Sequence, residues 1–151
     1  MTRTKTETSI KLVNHLTANG KKLKGEKIVM QTLKTLQKTL KKPATRLILL
    51  ALTRGTPVFK INTSTQKKRK KKKQIKKIFP AFISNKKTRA SFAVKFIVKA
   101  ALKEKGQPFF QKLLSEIYTA SQARGPAIDS KKETQKQALS NRRLFRYYRW
   151  H

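Results

Sequence analysis

Thirty-nine lysines and arginines stand against six aspartates and glutamates in this chain of 151 residues, a formal net charge of +33. Six acids leave most of the cations with no partner inside the chain. Such an excess opposes compaction by self-repulsion and draws polyanions towards it. The chain therefore needs counter-charge from outside, and a phosphate backbone is the commonest supply. A core is nevertheless affordable. Hydrophobic residues make up 37% of the chain, somewhat below the globular average of roughly 45–50% with glycine included. One modest core and a single domain over 1–151 are the expectation, because domains usually run to roughly 100–200 residues.

Other classes fall away quickly. There is no cysteine, which excludes disulfides and thiolate metal sites. The longest wholly apolar run is Leu47 to Leu52, far short of the ~20 residues that span a bilayer. The opening MTRTKTETSI has no apolar h-region and contains Glu7, unlike a secretory signal. With an apolar helical pattern beginning by Ile10, the mature protein is expected to start near Met1.

Periodicity and punctuation predict a mainly α chain, a bundle of about six helices with a basic β-hairpin projecting between the third and fourth. The first helix is read over 9–18, with Ile10, Val13 and Leu16 or Leu12 on one side, stopping at Asn19-Gly20. The second is read over 24–41, where Val29, Leu33, Leu36 and Leu40 draw one apolar stripe. Glu26 would sit in its first turn, where a carboxylate suits the helix dipole. Pro43 follows it, and the third helix covers 44–53 with Gly55 beyond. Val58-Phe59-Lys60-Ile61 and Ile78-Phe79-Pro80-Ala81-Phe82-Ile83 read as two strand arms within a hairpin over 57–83. Its tip, 64–74, holds Lys67 to Lys73, and like charges in one block predict disorder without a partner. Helices resume over 86–105, carrying Ala90, Val94, Ile97 and Ala101, and over 108–123, carrying Phe110, Leu113 or Leu114, Ile117 and Ala120. The last is read over 131–148, opened by a Ser130–Glu133 capping box, with Ala138, Phe145 and Tyr148 on its apolar side.

Catalysis finds no footing. General acid–base or nucleophilic chemistry needs titratable groups gathered in a pocket. The histidines are His15, inside a helical pattern, and His151, the final residue; the acids Glu7, Glu26, Glu104, Glu116, Asp129 and Glu133 are scattered. None of these acids demands a catalytic explanation. Gly20-Lys21-Lys22 resembles the end of a phosphate-binding loop, but His15 stands where that loop needs a glycine, and Lys22 where it needs Ser or Thr. Read structurally, Gly20 is a helix cap and the lysines an exposed turn able to grip a phosphate. No cofactor, metal or small-molecule substrate is expected.

The lysine run alone fits an RNA-binding tip, a nuclear localisation signal or a solvated insertion. The remaining bases are interleaved with apolar helix positions throughout, so the whole body looks built for a polyanion. At the C-terminus arginines alternate with aromatics from Arg142 to Trp150. Guanidinium forks bind phosphate bidentately, and guanidinium and aromatic faces stack on bases. Helical spacing favours Phe145 and Tyr148 as core, leaving Tyr147, Trp150 and the arginines as surface.

These segments resemble the family of the universal small-subunit ribosomal protein seven, bacterial and organellar type. Leu12-Val13-Asn14, Asn19-Gly20-Lys21-Lys22 and Ile28-Val29 are similar to its first two helices and their turn. Phe96-Ile97-Val98-Lys99-Ala100-Ala101 with Gly106 resembles its fourth helix. Leu114-Ser115-Glu116-Ile117, Ala120, Gly125 and Ala127-Ile128 resemble its fifth helix and following loop. Lys131-Lys132-Glu133, Ala138, Asn141, Phe145 and Tyr148-Arg149-Trp150 resemble its sixth. The hairpin departs from the family pattern, being longer, lysine-rich and without the usual paired glycine and arginines.

The resemblance implies a non-enzymatic constituent of the small ribosomal subunit. Its partner would be the 3′ major domain of small-subunit rRNA in the head, among neighbouring head proteins, with mRNA and E-site tRNA nearby and no membrane. Lysine excess and the diverged hairpin suit an organellar ribosome, mitochondrial in the first place, with plastid and bacterial cytoplasm as alternatives. The candidate rRNA-binding set begins with Lys21 and Lys22 in the first turn. On the hairpin it comprises Lys60, Lys67, Lys68, Arg69, Lys70, Lys71, Lys72, Lys73, Lys76 and Lys77. Lys86, Lys87 and Arg89 follow at the start of the fourth helix, then Lys131, Lys132, Arg142, Arg143, Arg146, Arg149 and Trp150 in the last. A chromatin-type condensing protein is the alternative, although such proteins concentrate charge in apolar-poor tails. A membrane-active cation would need a large exposed apolar face.

Overall fold

Apolar stripes at helical spacing find one another in the computed structural model, which describes the backbone of residues 2–40, 43–67 and 74–147 and the side chains of 9–39, 43–63 and 78–145. The order is α1 (Thr2–Leu16), α2 (Lys22–Leu40), α3 (Ala44–Gly55), β1 (Phe59–Lys67), β2 (Gln74–Phe82), α4 (Lys86–Lys103), α5 (Phe109–Ser121) and α6 (Pro126–Ser140), with a 3-10 segment Arg142–Tyr147 behind it. The architecture is the predicted one: six helices, with a two-stranded antiparallel hairpin between the third and fourth.

The core is built from these stripes. Leu12 and Val13 of α1, Val29 and Leu36 of α2, and Leu47, Ile48 and Leu52 of α3 are buried together with Val94 and Ile97 of α4 and Leu113 and Ile117 of α5. Helix α5 lies centrally, touching α2, α3, α4 and α6. Small residues let the helices approach closely: Ala51, Ala93, Ala101 and Ala120 are fully buried, and an added Cβ on Gly55 would stand 3.4 Å from that of Ala93.

Several boundaries move, each for a local reason. Helix α1 ends at Leu16, before Asn19 (φ 51°) and Gly20 (φ 72°), so Gly20 belongs to the turn rather than to a helix cap. Its stripe is also narrower than expected, because Ile10 is exposed. Helix α2 starts at Lys22, which puts Glu26 beyond the first turn; it pairs with Lys22 at 3.7 Å instead of serving the helix terminus. Helix α3 runs on through Gly55, α4 stops at Lys103, and Pro108 is the N-cap of α5 rather than part of its first turn.

The largest correction concerns the last helix. It begins at Pro126, not near 131, behind Gly125 at φ 95°. Proline suits this first position because its fixed φ is helical and its missing N–H is not needed there. The Ser130–Glu133 capping box is therefore absent: Ser130 lies inside the helix, accepting from the Thr134 hydroxyl at 2.8 Å, and Glu133 accepts from Gln137. The helix closes at Ser140, and the tighter 3-10 turn takes Phe145 off the stripe of Ala138.

In the hairpin, Phe59 pairs with Phe82, Ile61 with Pro80 and Lys67 with Gln74. Proline is tolerated within β2 because both strands of a two-stranded sheet are edges. The hairpin rests on α6 and on the 3-10 segment. Residues 68–73, where most of the charged tip was expected, and Tyr148 lie outside the described residues.

Candidate nucleic-acid interface

Three aromatic rings root the hairpin. Phe59 meets Phe82 edge-on, with centroids 6.1 Å apart, and lies 5.3 Å from Phe145 of the 3-10 segment. Aromatic pairs in such geometry add ~0.5–1.5 kcal/mol beyond their buried area. Phe145 is thus half-buried packing, as its helical spacing suggested, although it packs on the hairpin from a 3-10 turn. Arg89 sits over the Phe82 ring at 5.0 Å and donates Nε–H to the Ile83 carbonyl at 2.6 Å. Next to it, the Asn85 side chain caps α4 by accepting from the Lys87 N–H at 2.8 Å. The strand ends, the first turn of α4 and the start of the 3-10 segment are in this way gathered at one end of the bundle.

A second set of contacts ties the remaining helices to that end. Lys131 Nζ donates to the Arg54 carbonyl at 2.6 Å, and Arg54 Nη1 donates to the Ser121 carbonyl. Both carbonyls lie at helix C-termini, the negative end of the helix dipole, where cations are favoured. Burial lowers the Lys131 pKa from its ordinary value. Arg89 and Lys131 therefore have partners within the fold.

Glu116 was missed by the sequence reading, which asked of the acids only whether any needed a catalytic explanation. It is 1% exposed, deep in α5, and its Oε1 accepts the Ala127 N–H at 3.0 Å. One of the free N–H groups that opens α6 is thereby satisfied from inside the bundle. Burial pushes the carboxyl pKa up, the Ala127 hydrogen bond opposes that, and Glu104 and Asp129 add slightly to the rise. A signal was present: Glu116 falls three residues after Leu113 and four before Ala120, on the buried stripe itself. Gly125 completes the joint, since a Cβ there would come 2.8 Å from Thr119 Oγ1.

Of the predicted cations, Lys86, Lys87, Arg142 and Arg143 are exposed at the hairpin end. Lys132 is exposed too and stands 3.7 Å from Asp129, while Lys60 is half-buried on β1. For Lys67, Lys76, Lys77 and Arg146 the backbone alone is described, placing Lys76 opposite Thr65 and Lys77 opposite Ser64. Lys68, Arg69, Lys70, Lys71, Lys72, Lys73, Arg149 and Trp150 lie outside the described residues.

Lys21 and Lys22 are set apart. Lys21 lies in the α1–α2 turn and Lys22 opens α2, and the end of α1 before them packs far along α4, where His15 shares a cleft of about 260 Å³ with Lys95, Val98, Lys99 and Leu102. Twelve helical residues separate Lys86 from Val98, about 18 Å at 1.5 Å per residue. Burial first, then Lys95, lowers the His15 pKa, leaving the imidazole neutral at neutral pH. The exposed Lys95 and Lys99 beside it were not singled out from sequence, where nothing distinguishes them from the other lysines.

What such an arrangement offers chemically is a set of exposed cations on elements held in place by others. Comparisons with known proteins give the family. The family described as Ribosomal protein S7p/S5e matches residues 1–142. The chain is similar to the small ribosomal subunit protein uS7 of Thermotoga neapolitana, 31% identical over 140 residues, covering 93% of this chain and 85% of that protein. It is also similar to the small ribosomal subunit protein uS7c of Euglena gracilis, 31% identical over 133 residues, covering 87% and 80%. A third, uS7c of Stigeoclonium helveticum, is 31% identical over 130 residues, covering 86% and 71%.

Proposed function

Because the chain belongs to the ribosomal protein S7p/S5e family, and so is a structural, non-enzymatic constituent of the small ribosomal subunit, we propose that its hairpin end is the surface that binds the 3′ major domain of small-subunit rRNA. In this reading, one domain over 1–151 sits in the head, supports head assembly among neighbouring proteins, and lies near the mRNA exit and E-site tRNA.

The observation that carries the reading is convergence. Lys86, Lys87, Arg142 and Arg143 come from segments far apart in sequence and are exposed on the two elements, the start of α4 and the 3-10 segment, that the ring cluster and Arg89 join to the hairpin. Phosphate contacts of this kind position an RNA backbone, while lysines further out add attraction without selecting a sequence. Arg142 and Arg143 open the 3-10 segment that Phe145 anchors on Phe59, so their forks start from a set backbone geometry. Arg89 and Lys131 contribute by holding the elements in place, and Lys21 with Lys22 form a separate contact. The proposed compartment is the mitochondrion, supported by the lysine excess and the glycine-free hairpin, and co-sedimentation with the mitochondrial, plastid or cytoplasmic small subunit decides it.

Titration of the protein with a cognate rRNA fragment and with a scrambled one tests the interface. The log–log salt slope should reach at least about 5, from roughly 0.7–0.9 per neutralised phosphate. Arg142→Lys with Arg143→Lys keeps the charge but should reduce the preference for the cognate fragment. Replacing 67–73 by a neutral Gly/Ser loop should weaken both RNAs by similar factors. An affinity almost independent of salt, or discrimination lost with the loop and kept without the arginines, refutes the assignment.

A further inference from the structure

On the side formed by α1 and α2, an apolar groove of about 470 Å³ lies open. Ile10 and Val13 of α1 and Val29, Met30 and Leu33 of α2 wall it, and the Lys22–Glu26 pair closes one end. Ile10 and Met30 are each 55% exposed and Leu23, on the same helix, 74%. Exposed apolar groups gathered with a concavity mark an interaction surface more than scattered ones do.

The chemistry of the walls and rim selects the occupant. Among the described residues none that lines the groove is aromatic, so a nucleobase finds no ring there to stack on, and stacking is what holds unpaired bases to proteins. Aliphatic walls and a methionine, which adapts its shape, suit aliphatic side chains. Along α2, Leu23, Lys27, Met30 and Lys34 follow a 4-3-4 spacing and are all exposed, so one stripe alternates apolar and cationic. No carboxylate pairs with Lys27 or Lys34 among the described residues. The stripe spans twelve residues, about 16 Å or three helical turns. A +33 chain repels cationic segments, and charge complementarity governs which partner is admitted.

We propose that the α1–α2 groove is a docking site for an amphipathic helix of about three turns on another protein, apolar on one face and flanked by carboxylates. The inference goes beyond the RNA interface: that surface is built on the hairpin, α4 and the 3-10 segment, with Lys21 and Lys22 apart from them, whereas this one is built on the apolar faces of α1 and α2 and meets it at Lys22.

The test uses a helix-stapled synthetic peptide of about 14 residues with leucines at i, i+3 and i+7 and glutamates beside them. A control peptide has serine at the leucine positions and the same charge. The full chain should bind the leucine peptide at least about tenfold more tightly than the control, the expected scale for burying a few aliphatic groups. Ile10→Ser with Met30→Ser, at positions already exposed, should erase that difference while leaving the melting temperature and the affinity for the rRNA fragment unchanged. Equal binding of both peptides to the unaltered chain means attraction by charge alone and overturns the proposal. So does a leucine preference that survives in the double variant. If the double variant instead loses rRNA affinity, the groove belongs to RNA; the proposal fails and the RNA reading stands.

Discussion

On the α1–α2 side of the bundle Lys27 and Lys34 stand in solvent beside exposed Leu23 and Met30, whereas at the hairpin side Arg54, Arg89 and Lys131 are laid onto the carbonyls of Ser121, Ile83 and Arg54. A similar contact fastens the start of α5, where Lys112 Nζ reaches the Glu104 carbonyl at 2.7 Å. The difference teaches how a chain with six acids secures 39 cations. Backbone carbonyls at helix and strand ends stand in for missing carboxylates, with the helix dipole adding to the attraction. One carboxylate does the reverse: Glu116 accepts from a helix N-terminus, satisfying backbone rather than pairing with a base. The hairpin side is thus held by polar fasteners. The α1–α2 side relies on the apolar seam of Leu12, Val13, Val29 and Leu36.

If that contrast is right, the fastener at Glu116 should matter most. Glu116→Ala leaves the Ala127 N–H unsatisfied in a buried place and opens a cavity, so stability should fall by about 2–3 kcal/mol in denaturant unfolding. Glu116→Gln retains an acceptor and should cost far less. The pH sign follows from the raised carboxyl pKa. The folded state favours the protonated form, so this contribution is complete below the unfolded pKa, ordinarily about 4.5, and is lost as pH rises through the higher folded pKa. Wild type should lose stability over that window relative to Glu116→Gln. Equal melting of the Ala and Gln variants would remove the fastener from the comparison.

A smaller effect should come from the ring cluster. In a double-mutant cycle, Phe59→Ala and Phe145→Ala should couple by about 0.5–1.5 kcal/mol. The rings join the hairpin to the 3-10 segment, so neither variant should disturb the α1–α2 seam, as hydrogen exchange in α1 would reveal. Additive losses would mean that the hairpin stands on α6 alone.

The smallest change is a gain. Ala123 holds φ 62° in the turn after α5, where Arg124 N–H reaches back to the Thr119 carbonyl at 3.0 Å. Glycine is at ease in this left-handed position and alanine is not. Ala123→Gly should stabilise the chain by about 0.5–1 kcal/mol in thermal or denaturant melts, sharpening the α5–α6 joint. A loss would show that the turn gains nothing from relief of that strain.

Much of this molecule could be read from one dimension. The 4-3 spacing of Val29, Leu33 and Leu36, and the 3-4 spacing of Val94, Ile97 and Ala101, determined where helices lie and which face they bury. The clustered aromatic and β-branched residues around 58–61 and 78–83 determined a hairpin. Such signals are local, because helix and strand periods repeat within a few residues. The start of α6 escaped them, since the acceptor that opens it lies eleven residues away on α5 and competes with a plausible Ser130–Glu133 pattern. The roles of the cations escaped for the same reason. Arg54 and Ser121 are 67 residues apart, and Lys131 and Arg54 are 77 apart. In sequence every lysine and arginine is one positive charge; only packing brings a helix end within hydrogen-bonding reach of some and leaves Lys86, Lys87, Arg142 and Arg143 facing outward for a polyanion.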